Sequence, residues 1–171
     1  MGTCPTLETE RLVLRPFQDN DLADYFAMLN SPEVRSSLRI SDREGPAEAL
    51  NKMAAWLGQW ELRGTGHWAL GEKATGKFVG SVGLNRPERD DWPGVEVGWT
   101  LHPDQWGRGY ATEAGAAAVR YGFEHLGVRR LFSCILVDNN RSQAVARRLG
   151  FQLLEEKSMS MLPAELHGVW F

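Results

Sequence analysis

Glycines alternating with other residues let backbone amides close on a phosphate, and three segments of this chain have the glycine content for that chemistry. Gln105-Trp106-Gly107-Arg108-Gly109-Tyr110-Ala111-Thr112-Glu113 follows a strand-like segment and runs directly into a helical pattern, whose first turn has free amide hydrogens. Gly107 and Gly109, with Ala111 next in alternation, remove side chains that would block a pyrophosphate. The helix dipole favours an anion there, and Arg108 adds a positive charge. A glycine-rich connection with no ligand is the other reading of the same residues. Residues 71–77 (GEKATGK) have P-loop spacing, but Phe78 stands where a magnesium-binding Ser or Thr is required, and the segment joins two strands. Residues 64–69 (GTGHWA) mimic a dinucleotide fingerprint in reverse context, leaving a helix and entering a strand.

The elements that must position the loop follow from hydrophobic period. Residues 11–17 (RLVLRPF) alternate as a half-buried strand, and 19–29 read as a short helix. Residues 45–62 place Ala49, Met53, Trp56, Leu57 and Trp60 at helical spacing. Segments 67–71, 77–84 and 95–101 predict three strands of an antiparallel meander. Residues 110–126 form a helix whose Ala111, Ala114, Gly115 and Ala118 permit close packing on a sheet. Residues 129–137 (RRLFSCILV) are the most strand-like in the chain. A helix then runs to Leu149, with Asn140 and Gln143 at capping-box spacing and Gly150 in the C-cap place. Segments 151–155 and 166–171 predict two closing strands. A meander followed by helices interleaved with strands indicates a mixed α/β (α+β) sheet with helices on its faces.

Composition narrows the function classes. The chain has 171 residues, the size of one ordinary domain, and a net charge of -3 with no Lys/Arg-rich block, so nucleic acid is not an expected partner. No apolar run is long enough to span a membrane. Cys4 and Cys134 lie far apart without a CxxC or Cys/His cluster, so neither a disulfide framework nor a metal site is expected, and a cytoplasmic setting fits.

VEVGWTLHPDQWGRGYATEA followed by VDNNRSQAVARRLGF resembles the GNAT superfamily of N-acetyltransferases, and ETERLVLRPFQDNDL is similar to its RimJ/RimL-type branch, which includes ribosomal-protein N-terminal acetyltransferases. The resemblance runs in order along nearly the whole chain and implies one N-acetyltransferase domain over residues 1–171. The implied architecture is a central, mostly antiparallel twisted sheet of about seven strands, splayed into a V with helices on both faces. It implies acetyl-CoA as cosubstrate and an amine acceptor, either a peptide N-terminus or a small molecule, with a homodimer left open. Trp106 stands in the Q/R place of the superfamily's Q/R-x-x-G-x-G/A motif, while Gly109 and Ala111 match. By resemblance the pyrophosphate rests on the amides of residues 107–111, with Gln105 and Thr112 flanking. The pantetheine arm lies beside Gly98, Trp99, Thr100 and Leu101, in the gap facing residues 129–137.

Direct acetyl transfer needs an uncharged amine, a donor for the developing oxyanion and a proton for the departing thiolate. Glu96 shares a strand face with Gly98 and Thr100, and the resemblance makes it the base; a glutamate hydrogen-bonded across the sheet is the alternative. For the oxyanion the family implies backbone amides near Leu101, freed by a strand bulge. Ala146 replaces the Tyr that many members use as acid, and the RimL-like pattern substitutes Ser142, with Asn139 a cofactor contact. Ser142 can equally be a plain first-turn residue, because a thiol of pKa about 8.5 is already a fair leaving group. His67, His102, His125 and His167 are scattered and read as structural or exposed, while Cys134 reads as buried and inert. Trp56, Trp60 and Trp92 can wall an acceptor pocket, and Glu88, Asp90 and Asp91 would favour a cationic acceptor if they face it. Two other classes remain: an idle acyl-CoA-binding sensor with the same loop, and a nucleotide-phosphate enzyme, which would need a magnesium site that is not evident.

Overall fold

A computed structural model describes residues 3–40, 45–87, 92, 94–158 and 167–170. Two short strands, β1 (Leu7–Glu8) and β2 (Leu12–Arg15), pair antiparallel and lead through a single 3-10 turn into α1 (Leu22–Asn30). That turn is fixed by Asp21, whose buried carboxylate takes both ends of the Arg15 guanidinium at 2.7 Å and the Gln18 amide at 2.8 Å. α2 (Pro32–Leu38) follows at once, capped by the Ser31 hydroxyl with Pro32 in its first turn. α3 (Pro46–Arg63) ends at Gly64, which takes a left-handed conformation. The meander then continues through β3 (Gly66–Glu72), β4 (Phe78–Asn85) and β5 (Glu96–Leu101), giving one antiparallel sheet in the order β1-β2-β3-β4-β5.

The two sheet faces carry separate cores. Trp68, Val82, Leu70, Leu84, Val97 and Leu101 point to one side, where they pack with Trp60 and with Tyr110, Ala114 and Ala118 of α4 (Tyr110–Glu124). Ala69 points to the other side, where α1, α2 and α3 deliver Tyr25, Met28, Val34, Ala49 and Met53. The small residues of α4 let it approach closely. A Cβ on Gly115 would stand 2.8 Å from Leu149, and one on Gly122 3.0 Å from Leu131.

Beyond α4 the architecture departs from one seven-stranded sheet. β6 (Cys134–Leu136), β7 (Glu155–Ser158) and β8 (His167–Trp170) form a second sheet in the order β6-β8-β7, with α5 (Asn140–Arg148) between β6 and β7. Residues 129–137, read as one long strand, yield only the three residues of β6, because the chain changes partner within the segment. Phe132 makes a lone parallel bridge to Glu96 of β5, and from Cys134 onward the pairing is with β8. The α5 cap also differs from expectation. Asn139, not Asn140, accepts the Ser142 amide at 3.1 Å, while Gln143 turns back to the Val137 carbonyl at 2.9 Å. Among the described residues no helix is long and apolar enough to cross a membrane.

Candidate active site

β5 has one open edge. Ladder bonds alternate along an antiparallel pair, and the His102 amide, donating to the Val79 carbonyl at 3.0 Å, fixes the phase. The amides of Glu96, Gly98 and Thr100 therefore face β4, while those of Val97, Trp99 and Leu101 point away from it. Val97 donates to Phe132 O at 2.7 Å, and Phe132 returns a bond to Val95 O at 3.0 Å. Past that bridge β6 diverges, so the Trp99 and Leu101 amides face a gap that opens from its foot at Glu96. The β4–β5 register is unbroken from Glu96 to Leu101, so the expected bulge near Leu101 is absent; the sheet's irregularity lies between Leu70 and Gly71. The freed amide at Leu101 thus comes from splaying. Trp99 wedges its ring between the main core and the small cluster of Ile135 and Ala146, propping the two sheets apart.

An anion cradle closes the mouth of this gap. Gly107 and Gly109 both take left-handed conformations, φ 76° and 82°, that favour glycine. Gly109 is the N-cap of α4 and supplies no side-chain cap, which leaves the first-turn amides of Tyr110, Ala111 and Thr112 for a ligand. A Cβ at Gly107 would meet nothing within 4 Å, so that side of the loop is open. These features fit a pyrophosphate.

The loop's side chains mostly serve its shape. Trp106 donates its indole N–H to the Leu101 carbonyl at 2.9 Å, and the Arg141 guanidinium lies 4.7 Å above its ring. Arg108 is engaged by Gln105 at 2.5 Å and Glu72 at 2.9 Å. Tyr110 is buried, giving its hydroxyl to Glu72 at 2.5 Å with its ring between Arg11 and Arg108, each guanidinium 4.6 Å from the centroid. Behind it, Glu113 accepts from Thr9 Oγ1 at 2.6 Å, the Arg11 amide at 2.8 Å and Arg11 Nε at 2.7 Å, and Arg11 reaches Arg108 O at 2.9 Å. The motifs contain Thr9, Arg11, Glu72 and Glu113 but assign none of them a role. Their partners lie across the sequence, and only the tertiary pairing reveals them.

At the foot of the gap, Glu96 is half-buried. Loss of hydration raises its pKa to about 7, against weaker opposing hydrogen bonds from the Cys134 backbone and the Asn85 side chain. A carboxyl tuned to that range can take and return a proton near neutrality. Cys134 is half-buried on β6, more open than its alternation suggested. Across the gap, Ser142 lies half-buried in the first turn of α5, and its hydroxyl makes no hydrogen bond among the described residues. Asn139 spends its amide on the α5 cap and on the Ser37 carbonyl at 3.4 Å, while Arg39 pairs with Asp138. The end of α2 therefore meets the turn before α5.

On the same sheet face as Glu96, His67 lies under the Trp56 ring, 4.1 Å between centroids and nearly parallel. Trp60, by contrast, is buried against Trp68 on the opposite side and walls no cleft; Trp92 is half-buried. His125 stacks on Tyr121, and His102 takes the Asp104 amide at 3.4 Å. Glu88, Asp90 and Asp91 lie outside the described residues. Among the described residues no group of three or more His, Cys, Asp or Glu is placed to hold a metal.

Comparison with known proteins shows the family and the fold. The sequence profile of the acetyltransferase (GNAT) domain matches residues 11–152. The chain is 38% identical over 161 residues to Bacillus subtilis YdaF, provisionally named a ribosomal N-acetyltransferase, covering 91% of this chain and 84% of that protein. The crystal structure of an acetyltransferase from Agrobacterium tumefaciens superposes with a TM-score of 0.84 at 30% identity, covering 100% and 96% of the two chains. A RimL ribosomal L7/L12 α-N-protein acetyltransferase in complex with coenzyme A shares the fold, with a TM-score of 0.79 at 17% identity and coverage of 98% and 97%.

Proposed function

The chain belongs to the GNAT acetyltransferase family, whose chemistry is acetyl-CoA-dependent acetylation, and from that premise we propose that it acetylates a primary amine by direct transfer in a ternary complex. The acceptor in this reading is a protein N-terminal α-amine or a small-molecule amine. Its branch is the RimJ/RimL-like one, supported by the ribosomal N-acetyltransferase name that YdaF carries. Residues 1–171 act as one catalytic domain, cytoplasmic in setting, with a homodimer as the assembly to test. The observation that carries the proposal is the open edge of β5, with Glu96 at one end and the uncapped α4 N-terminus at the other.

Each group has a role set by its position. Acetyl-CoA supplies the activated thioester. The amides of residues 107–112 receive its pyrophosphate, and the Trp99–Leu101 edge aligns the pantetheine through the outward-facing Leu101 amide, the Thr100 amide being spent on β4. Glu96 accepts the amine proton, directly or through water, and its elevated pKa suits that exchange. The freed amide of Trp99, the one nearer Glu96, donates to the developing oxyanion. Ser142, its hydroxyl unspent, gives a proton to the departing thiolate. Asn139 holds the turn that presents Ser142.

The test is thiol release from acetyl-CoA against a panel of an α-amino peptide, a polyamine, an amino acid and an aminoglycoside. Amine-dependent thiol release with acetylated product is expected for at least one of these. Tight acetyl-CoA binding without consumption across the panel would instead identify an acyl-CoA sensor.

A further inference from the structure

His67 takes no part in the roles just assigned, yet it is buried on the sheet face that carries Glu96. It sits in register with Gly83 of β4, which is itself in register with Gly98 of β5. A Cβ on Gly83 would stand 2.4 Å from both Cα and Cδ2 of His67, so the imidazole occupies the place of that missing side chain. Its Cε1–Nε2 edge ends 3.5 Å from where a Cβ of Gly98 would be. Two glycines form its floor and the Trp56 indole its roof, which holds the ring edge toward the strand that carries Glu96.

The protonation of this ring follows from burial. His67 is 9% exposed, and its Nδ1 is buried with no hydrogen-bond partner among the described residues. Removal from water holds its pKa down, to about 4, so at neutral pH the ring is uncharged and bears a single N–H. A proton on Nδ1 would be an orphaned buried donor, which folded proteins avoid more strongly than an unsatisfied acceptor. The N–H therefore belongs on Nε2, the nitrogen turned toward Gly98.

We propose that His67 is a specificity-determining residue that donates its Nε2–H to an oxygen borne next to the acceptor's amine, selecting α-amino acyl acceptors over plain alkylamines. The donor lies on the face and strand row adjoining Glu96, so an amine lowered onto Glu96 brings its neighbouring carbonyl to His67. A neutral donor suits this place, since an imidazolium would repel an incoming ammonium. His67 neither accepts the amine proton nor touches the acyl group. The inference rests on the acetyltransferase reading above.

The test compares kcat/KM for an alanyl peptide and for n-butylamine in the parent, His67→Phe and His67→Gln. Phe keeps the stack on Trp56 without a donor, and Gln restores an N–H. In His67→Phe the peptide is expected to lose about 10- to 100-fold, chiefly as a raised KM, while butylamine changes less than about threefold; Gln recovers part of the peptide rate. Acetyl-CoA affinity stays at the parent value. Should the Phe variant fail to fold, His67→Leu carries the same comparison. A parallel fall for both acceptors, or no change in the peptide-to-butylamine ratio of a folded variant, would overturn the role of His67 while leaving the acetyltransferase reading intact. A parent that binds acetyl-CoA but acetylates neither acceptor would overturn the role of His67, and the acetyltransferase reading falls with it only if the wider amine panel is also left unacetylated.

Discussion

A carboxyl that titrates near 4.5 unfolded and near 7 in the fold releases a proton on unfolding between those values. The folded state then loses stability as pH rises through that window, and the loss is complete above the folded value. Glu96→Gln removes the charged form while keeping a carbonyl for the Cys134 amide. The variant should therefore melt higher than the parent at pH 8, by up to about 3 kcal/mol in stability, and match it near pH 4.5. Catalysis should move the other way. At neutral pH the variant is expected to lose about 10²- to 10⁴-fold in kcat/KM, less in alkali where free amine accumulates, and to lack the parent's acid limb near pH 7. Paired pH series of melting and turnover measure both. Equal rates in a folded variant would remove Glu96 as the base.

At the scale of elements, the cradle is only as rigid as the contacts behind it, and those contacts tie the β1–β2 turn to the first turn of α4 through Glu113. Glu113→Ala strands the Thr9 hydroxyl, the Arg11 amide and the guanidinium together. It should lower Tm by about 3–10 °C and weaken acetyl-CoA binding about 5- to 30-fold, with kcat at saturation nearly unchanged. Lys73→Ala, removing an exposed pair with Glu8 and a bond to the Thr9 carbonyl at 2.7 Å, should lower Tm by no more than about 3 °C and leave acetyl-CoA affinity unchanged. Melting and calorimetry distinguish these outcomes. The meander and the glycine-rich turn into α4 were legible in the sequence because alternation and glycine spacing are local signals; strand alternation placed Glu96 on the face of Gly98 and Thr100, while its role came from the family resemblance. α2 is too short for hydrophobic period to announce it, although Ser31-Pro32-Glu33 is a capped helix start. The clamp of Thr9, Arg11, Glu72 and Glu113 had no local signal. His67 had none either, since its setting depends on the register that lays it over Gly83. The splay at Phe132 defeated the alternation of residues 129–137, because period reports that a segment is extended and not which strand it pairs with.

For the whole molecule, the described residues join the two sheets at the Phe132 bridge and the Glu96–Cys134 contact at the foot of the gap and at the Trp99 prop, Leu149 packs on α4, and the end of α2 meets the turn before α5. The last joins Arg39, in a left-handed conformation at φ 53°, to Asp138, and it is exposed enough that its electrostatic worth is about 0–1 kcal/mol. Asp138→Ala should therefore leave Tm within about 2 °C of the parent. The consequence of that contact concerns traffic: it links the end of α2 to the turn that carries Ser142 by a tie worth little energy, and such a tie yields readily to anything passing it. Under the acetyltransferase reading, Asp138→Ala should therefore change the ratio of rates on an end-blocked lysine peptide and a free-terminus peptide by less than about twofold. A larger change would show that the tie governs entry.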